Sequence, residues 1–130
     1  MPKLLGVLGG MGPLATADFM RKLTELTPAT RDQDHVPVLV YSNPQVPDRS
    51  TAIMGKGKSP LPALLGGIAR LQDAGAEAIA IPCNTAHYWY DEMVAASRVP
   101  ILHIVGSVCE ALRRKGVASG AVGVMGTAGT

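Results

Sequence analysis

The sequence predicts an α/β fold: an open, mostly parallel sheet with helices on both faces. Three observations predict it. Short apolar runs alternate with segments of helical periodicity, the mark of successive βαβ units. The runs are compact and rich in branched residues, as strands buried on both faces tend to be. A glycine-rich loop closes the first run, and polar residues follow the third where a helix should begin.

Taken in order, the first strand covers residues 3–8 and leads through the loop 9–13 into a helix over 14–26. A second strand, Val38–Ser42, opens into a long connection over 43–60. That connection holds Pro44, Pro47, Pro60, Gly55 and Gly57 with a basic pair at Lys56 and Lys58, and its length predicts a lid-like segment near the strand ends. Leu61, Leu64, Leu65, Ile68 and Leu71 then recur at helical spacing and mark the buried stripe of a helix over 61–74. Strands at 78–81 and 101–103 flank a helix over 86–96, and a helix over 107–115 precedes a last strand at 121–125. Gly75 and Gly116 sit just past their helices, where C-terminal caps belong.

Bulk properties narrow the function classes. At 130 residues the chain is one domain's worth, with enough mass for a core. Aromatic residues are only 4%, so that core rests on Val, Ile, Leu, Ala and Met. A formal charge of +2 is too small to argue for nucleic acid and no Lys/Arg run suggests it, since Arg113-Arg114-Lys115 falls where helix C-termini collect cations. No apolar stretch reaches the roughly 20 residues of a membrane span. Met1-Pro2-Lys3-Leu4-Leu5 runs into the first strand with no signal-peptide pattern. The two cysteines lack the spacing of a disulfide framework or a zinc site, so the expected compartment is the cytoplasm with both thiols reduced.

One internal repeat stands out. Gly6-Val7-Leu8-Gly9-Gly10-Met11-Gly12 and Gly123-Val124-Met125-Gly126-Thr127-Ala128-Gly129 both read G-V-[LM]-G-x-x-G. The expectation is an α/β domain over 1–119, with 120–130 the first strand and glycine loop of a second, similar half that is cut short here. Chance similarity in a glycine-rich chain is the alternative.

The residues with chemistry cluster at predicted strand exits. Cys83 ends the run Ala78-Ile79-Ala80-Ile81-Pro82-Cys83. In open α/β sheets ligands bind outside the carboxyl ends of the strands, and a thiol at a helix N-terminus is favoured as thiolate. Cys83 is therefore expected to be reactive. Asn84 and Thr85 either cap the helix or hydrogen-bond a bound carboxylate. His87 either orients the thiol or only forms part of the helix start. The loop Gly10-x-Gly12-x-x-Ala15 has the form of a dinucleotide fingerprint, but Tyr41-Ser42-Asn43 stands where its acidic residue belongs. With Pro13 at a first helical turn the loop can still present N–H groups to a carboxylate or phosphate, or simply allow a tight turn. Arg49, after Pro47-Asp48, can clamp a carboxylate in a bidentate fork or remain a solvated loop charge. Cys109 shares an apolar helical face with Val105, Val108 and Leu112 and is expected in the core.

Together, Gly9-Gly10-Met11-Gly12-Pro13-x-Ala15-Thr16, Ser42-Asn43-Pro44-x-x-Pro47-Asp48-Arg49 and Pro82-Cys83-Asn84-Thr85-Ala86-His87 resemble the aspartate/glutamate racemase family, which works without pyridoxal phosphate. The Pro-Asp-Arg loop is most similar to the aspartate racemase branch. The resemblance implies two pseudo-symmetric halves with the active site between them and one cysteine from each. One thiolate removes the α-proton and the other thiol protonates the opposite face, without a cofactor. Cys83 matches the first cysteine, Asn84 and Thr85 the carboxylate-holding residues, and Arg49 the arginine that engages a side-chain carboxylate. Met11, Gly12, Asn43, Asp48 and Thr127 complete the expected substrate-binding set. The implied ligand is a small amino acid or dicarboxylate, and the implied full-length assembly a homodimer, with no nucleic acid, membrane or metal. Two departures stand: no second cysteine matches by motif, and Gly106 occupies a place where relatives carry an acidic residue. Alternatives are a single-cysteine diacid decarboxylase or isomerase, a non-catalytic carboxylate-binding module, and nucleotide binding through the glycine loop. By itself this chain is expected to racemise little or nothing.

Overall fold

The computed structural model describes residues 2–130. Its sheet has β1 (Leu5–Gly9) at the centre, β2 (Val38–Ser42) on one side and β3 (Ala78–Ala80) on the other, all parallel. Leu5 stands opposite both Val38 and Ala78, and the β2 pairing runs on to Gly9 and Ser42. Beyond β3, Ile101 forms a single parallel bridge to Ile79. The Ile79 N–H donates to the Pro100 carbonyl at 2.9 Å and the Leu102 N–H to the Ile79 carbonyl at 2.8 Å. The open, mostly parallel α/β class is borne out.

Helices α1 (Pro13–Leu26), α2 (Arg49–Ile53), α3 (Leu61–Asp73), α4 (Tyr90–Ala96) and α5 (Ile104–Arg114) connect and flank these strands. In α1, Pro13 occupies the first turn, where its missing N–H costs no hydrogen bond. The stripe of α3 lies on the sheet: Leu64, Ile68 and Leu71 are buried with Leu8, Ile79 and Met93, while Leu61 and Leu65 pack at the margin. Removing each such side chain from water contributes about 1.5–3 kcal/mol. Gly67 lets α3 approach the sheet closely, because a Cβ there would press on the Leu8 side chain and come within 3.4 Å of the Tyr41 ring. Gly75 and Gly116 follow α3 and α5 with φ of 97° and 76°, as expected of C-terminal caps.

Several expected elements differ. Of residues 101–103 only Ile101 pairs, so the fourth strand is a single bridge. Residues 121–125 form no strand; they run exposed, because among the described residues no strand pairs with them. The helix expected over 86–96 is split into a 3-10 turn, Thr85–Trp89, and α4. The last helix begins earlier than 107, because His103 caps it: its Nδ1 accepts from the Val105 and Gly106 amides, each at 3.2 Å. β2 is an edge strand with Val40 and Ser42 exposed, so burial on both faces holds for β1 but not for β2. The 43–60 connection, expected as a lid-like segment, contains α2 and buries Val46 and Pro60. Cys109 is exposed rather than in the core, because α5 buries none of its residues against this chain.

Leu64→Ala is expected to cost about 2–5 kcal/mol of folding stability, read by urea unfolding, because it empties a fully buried site. Leu14→Ala, at a side chain 84% exposed, is expected to stay within about 0.5 kcal/mol.

Candidate functional site

Parallel pairing sends the carboxyl ends of β1, β2 and β3 to the same side of the sheet, and each end delivers one loop there. The loop after β1 turns at Gly10, whose φ is 94° and whose missing Cβ leaves room for the Asn43 main chain. The Asn43 N–H donates to the Gly9 carbonyl at 3.0 Å, joining the first two loops. Thr16, 3% exposed, pins the glycine loop from α1. Its hydroxyl accepts from the Gly10 N–H at 2.9 Å and donates to the Gly12 carbonyl at 3.1 Å. Sequence reasoning quoted Thr16 at the end of the glycine-loop motif but gave it no role, although a polar residue four positions beyond Gly12, facing the loop across one helical turn, is a readable signal.

The loop after β2 carries Asn43, Asp48 and Arg49. The Asn43 Oδ1 accepts from the Gln45 N–H at 3.0 Å, so that side chain is engaged within its own turn. Asp48 is the N-cap of α2, accepting from the Thr51 amide at 2.7 Å and from the Thr51 hydroxyl. Those bonds, the hydroxyl first, hold the Asp48 carboxyl below the usual carboxylate range. Arg49 folds back onto its loop, with Nη1 donating to the Val46 and Pro47 carbonyls at 3.1 and 2.9 Å. Its Nε is buried and has no partner. The guanidinium is thus positioned, with its buried Nε–H unspent.

The loop after β3 carries the thiol. Cys83 is only 7% exposed, and its Sγ lies 3.6 Å from the Thr85 hydroxyl. Its peptide is held at both ends: the N–H donates to the Ile81 carbonyl at 2.8 Å, and the carbonyl lies 2.8 Å from His87 Nδ1. Asn84 stands before the 3-10 turn but makes no side-chain cap, so of the two sequence readings capping is not used. His87 makes no hydrogen bond to the thiol; it binds the Cys83 main chain and, through Nε2, accepts from the Ile104 amide at 3.2 Å. Burial pushes the His87 pKa below the ordinary histidine value and His103 adds to this, while main-chain groups of Cys83, Leu102 and Asn84 oppose it.

Met11, Cys83, Asn84, Thr85 and Thr127 line one cleft of about 310 Å³. Gly12 lies beside it in the glycine loop, exposed, with open space where a Cβ would stand. Asn43, Asp48 and Arg49 do not line this cleft. Their loop reaches its rim through α2, where the Ser50 hydroxyl lies 3.2 Å from that of Thr127. The second glycine motif, although not a strand, therefore closes over the first. Among the described residues no group of three or more His, Cys, Asp or Glu side chains is placed to hold a metal, and no helix is long and apolar enough to cross a membrane. A separate apolar groove of about 290 Å³, between α1 and the start of α5, carries no titratable side chain.

The family model for Asp/Glu/hydantoin racemase matches residues 8–130. The broad specificity amino-acid racemase RacX of Bacillus subtilis (strain 168) is 37% identical over 108 residues, covering 78% of this chain and 46% of RacX. The structure of Picrophilus torridus aspartate racemase superposes with a TM-score of 0.81 at 39% identity, over 88% of this chain and 48% of that one. An aspartate racemase homologue from Pyrococcus horikoshii OT3 shares the fold, with a TM-score of 0.72 at 24% identity over 89% of this chain and 50% of its own. The chain spans about half the length of the relatives it matches.

Gly10→Ala forces a side chain into a left-handed conformation and against the Asn43 main chain, and is expected to cost on the order of 2–4 kcal/mol by urea unfolding. Gly12→Ala meets open space and is expected to cost less than about 0.5 kcal/mol in the same measurement.

Proposed function

The chain belongs to the Asp/Glu/hydantoin racemase family, and on that premise we propose that it supplies one half of a cofactor-independent amino-acid racemase, with Cys83 as one of two proton-transfer groups. The observation that carries this reading is the placement of Cys83. It is a thiol with its peptide held at both ends, opening on a cleft shared with both glycine loops.

The chemistry is a proton exchange at the substrate's α-carbon. The Cys83 thiolate takes the α-proton, and the electron pair of the broken C–H bond stays on the α-carbon, delocalised into the carboxylate. A second acid, supplied by the other half of the protein, returns a proton to the opposite face. Two groups of this kind complete the inversion without pyridoxal phosphate, provided nearby donors stabilise the developing charge. Asn84, Thr85 and the loop at Met11 and Gly12 would hold the α-carboxylate. Arg49, which does not line the cleft as it stands, would have to turn from its own loop to take the side-chain carboxylate of aspartate or glutamate, with its unspent Nε as one donor. Asp48 and Asn43 act beneath it, as the cap of α2 and as the turn that aims the loop. Thr127 stands at the cleft rim, where residues 120–130 would begin the second half after a first domain over 1–119. Cys109 lies exposed on α5 and does not line the cleft, so it is not the second base in this reading. A cytoplasmic homodimer of the full-length protein completes the proposal.

In the full-length protein, Cys83→Ser is expected to slow α-proton exchange of aspartate in D2O by about 10²–10⁴-fold, with racemisation followed by optical rotation. Exchange at the unsubstituted rate would overturn the role given to Cys83. Arg49→Ala is expected to raise KM for aspartate about tenfold or more, the loss of a charge-assisted hydrogen bond, with a smaller change for a neutral amino acid. An equal change for both substrates would remove Arg49 from side-chain recognition.

A further inference from the structure

We propose that His87 is a positioning residue for Cys83: a neutral imidazole, protonated on Nδ1, that ties the thiol's own peptide to the first amide of α5. The inference rests on the reading of Cys83 as a proton-transfer group. The atoms in contact dictate the protonation state. The Cys83 carbonyl only accepts, so Nδ1, 2.8 Å away, must donate. The Ile104 N–H only donates, so Nε2, 3.2 Å away, must accept. Only the neutral Nδ1–H tautomer satisfies both.

The two anchors are not equivalent. Ile104 is the first residue of α5, so its N–H is one of the amides a helix cannot satisfy internally. His103 meets the next two, those of Val105 and Gly106. Two imidazoles thus serve the first three amides of α5, and one of them also grips Cys83. Facing His87 are the titratable His103 ring at 5.2 Å between centroids and the Tyr90 ring at 6.1 Å, and, besides the Cys83 residue that it binds, main-chain groups of Leu102 and Asn84 that favour the charged form against burial. Tyr90 donates its own proton to the Ile101 carbonyl at 2.9 Å. Asp91 and Glu92, in the first turn of α4, are exposed.

Protonation places an N–H on Nε2 opposite the Ile104 N–H, and that link breaks. Because burial lowers the pKa of His87 on folding, the unfolded chain takes the proton first. The stabilisation is therefore complete above the unfolded histidine value of 6.5 and is lost as pH falls from there through the folded value.

The test has two arms. In the first, ¹⁵N-histidine NMR of the protein near neutral pH is expected to show His87 protonated on Nδ1 and bare on Nε2. The opposite tautomer, or a cationic ring, would overturn the proposal. In the second, the full-length racemase is compared with His87→Phe, which lacks both contacts, and His87→Asn, whose amide can still donate near the Nδ1 position. His87→Phe is expected to lower kcat at least about tenfold with KM within about twofold, and His87→Asn to recover much of that loss. The acid limb of the kcat profile should shift in His87→Phe. Wild-type kcat and an unmoved profile in His87→Phe would sink the positioning role. If His87→Phe does not fold, the NMR result and His87→Asn decide. Loss of exchange in Cys83→Ser with full activity in His87→Phe refutes this inference alone, whereas full activity in Cys83→Ser refutes the racemase reading beneath it.

Discussion

The double parallel pairing of β1 is the constraint on which the rest of the structure depends. With β2 on one edge and β3 on the other, β1 is the only described strand paired with a full strand on each side; β3 has only the Ile101 bridge beyond it. Its carboxyl end consequently has neighbours' ends to left and right, and the glycine loop must leave between them. That crowding explains Gly10, where the chain rests against Asn43 with no space for a side chain. It also explains Thr16, buried because one hydroxyl must serve both an amide and a carbonyl of the loop. The thiol loop emerges on the other side of β1 and shares the resulting cleft. The site is a consequence of strand direction before it is a consequence of any functional side chain.

What was legible in the sequence was local physics. The α3 stripe, Pro13 in the first turn of α1, and glycines after α3 and α5 all follow from periodicity or from caps, which act within a few residues. The failures share the opposite character. Residues 121–125 carry a strand-like pattern, but strand formation requires a neighbouring edge, and the described chain pairs none with them. Cys109 sits on an apolar helical face as expected, yet a face is buried only if something covers it. The early start of α5 depended on the His103 ring turning back to its own helix, a cap outside the usual Ser, Thr, Asp and Asn set.

The candidate site divides along the same line. Cys83, Met11, Asn84, Thr85 and Thr127 meet in one cleft, because each lies in a loop that the sheet delivers to the same end. Asp48 was legible as a loop carboxylate but not as the cap of α2, since α2 was hidden in a proline-rich connection. His87 was ambiguous between orienting the thiol and starting a helix. It sits in the 3-10 turn that opens this segment and bonds the Cys83 carbonyl rather than the thiol; its second partner, Ile104, lies 17 residues further along and arrives only through tertiary packing.

That partner gives the Cys83 loop an unusual foundation. An isolated helix of the length of α5 is marginal in water, and helices in proteins draw most of their stability from a packed face. α5 buries no residue against this chain, and Val105 and Val108 stay about half exposed. Its order therefore leans on its ends. Arg113 and Arg114 stand in the last turn, where the helix dipole favours cations, and two histidine rings occupy the first. One of those rings also grips the carbonyl of Cys83. Whatever firms or loosens the start of α5 is felt, through two hydrogen bonds and one imidazole, at the peptide that carries the thiol. Covering the apolar face of α5 would stabilise the helix, hold Ile104 in register and so steady the Cys83 loop, without any new contact to Cys83 itself.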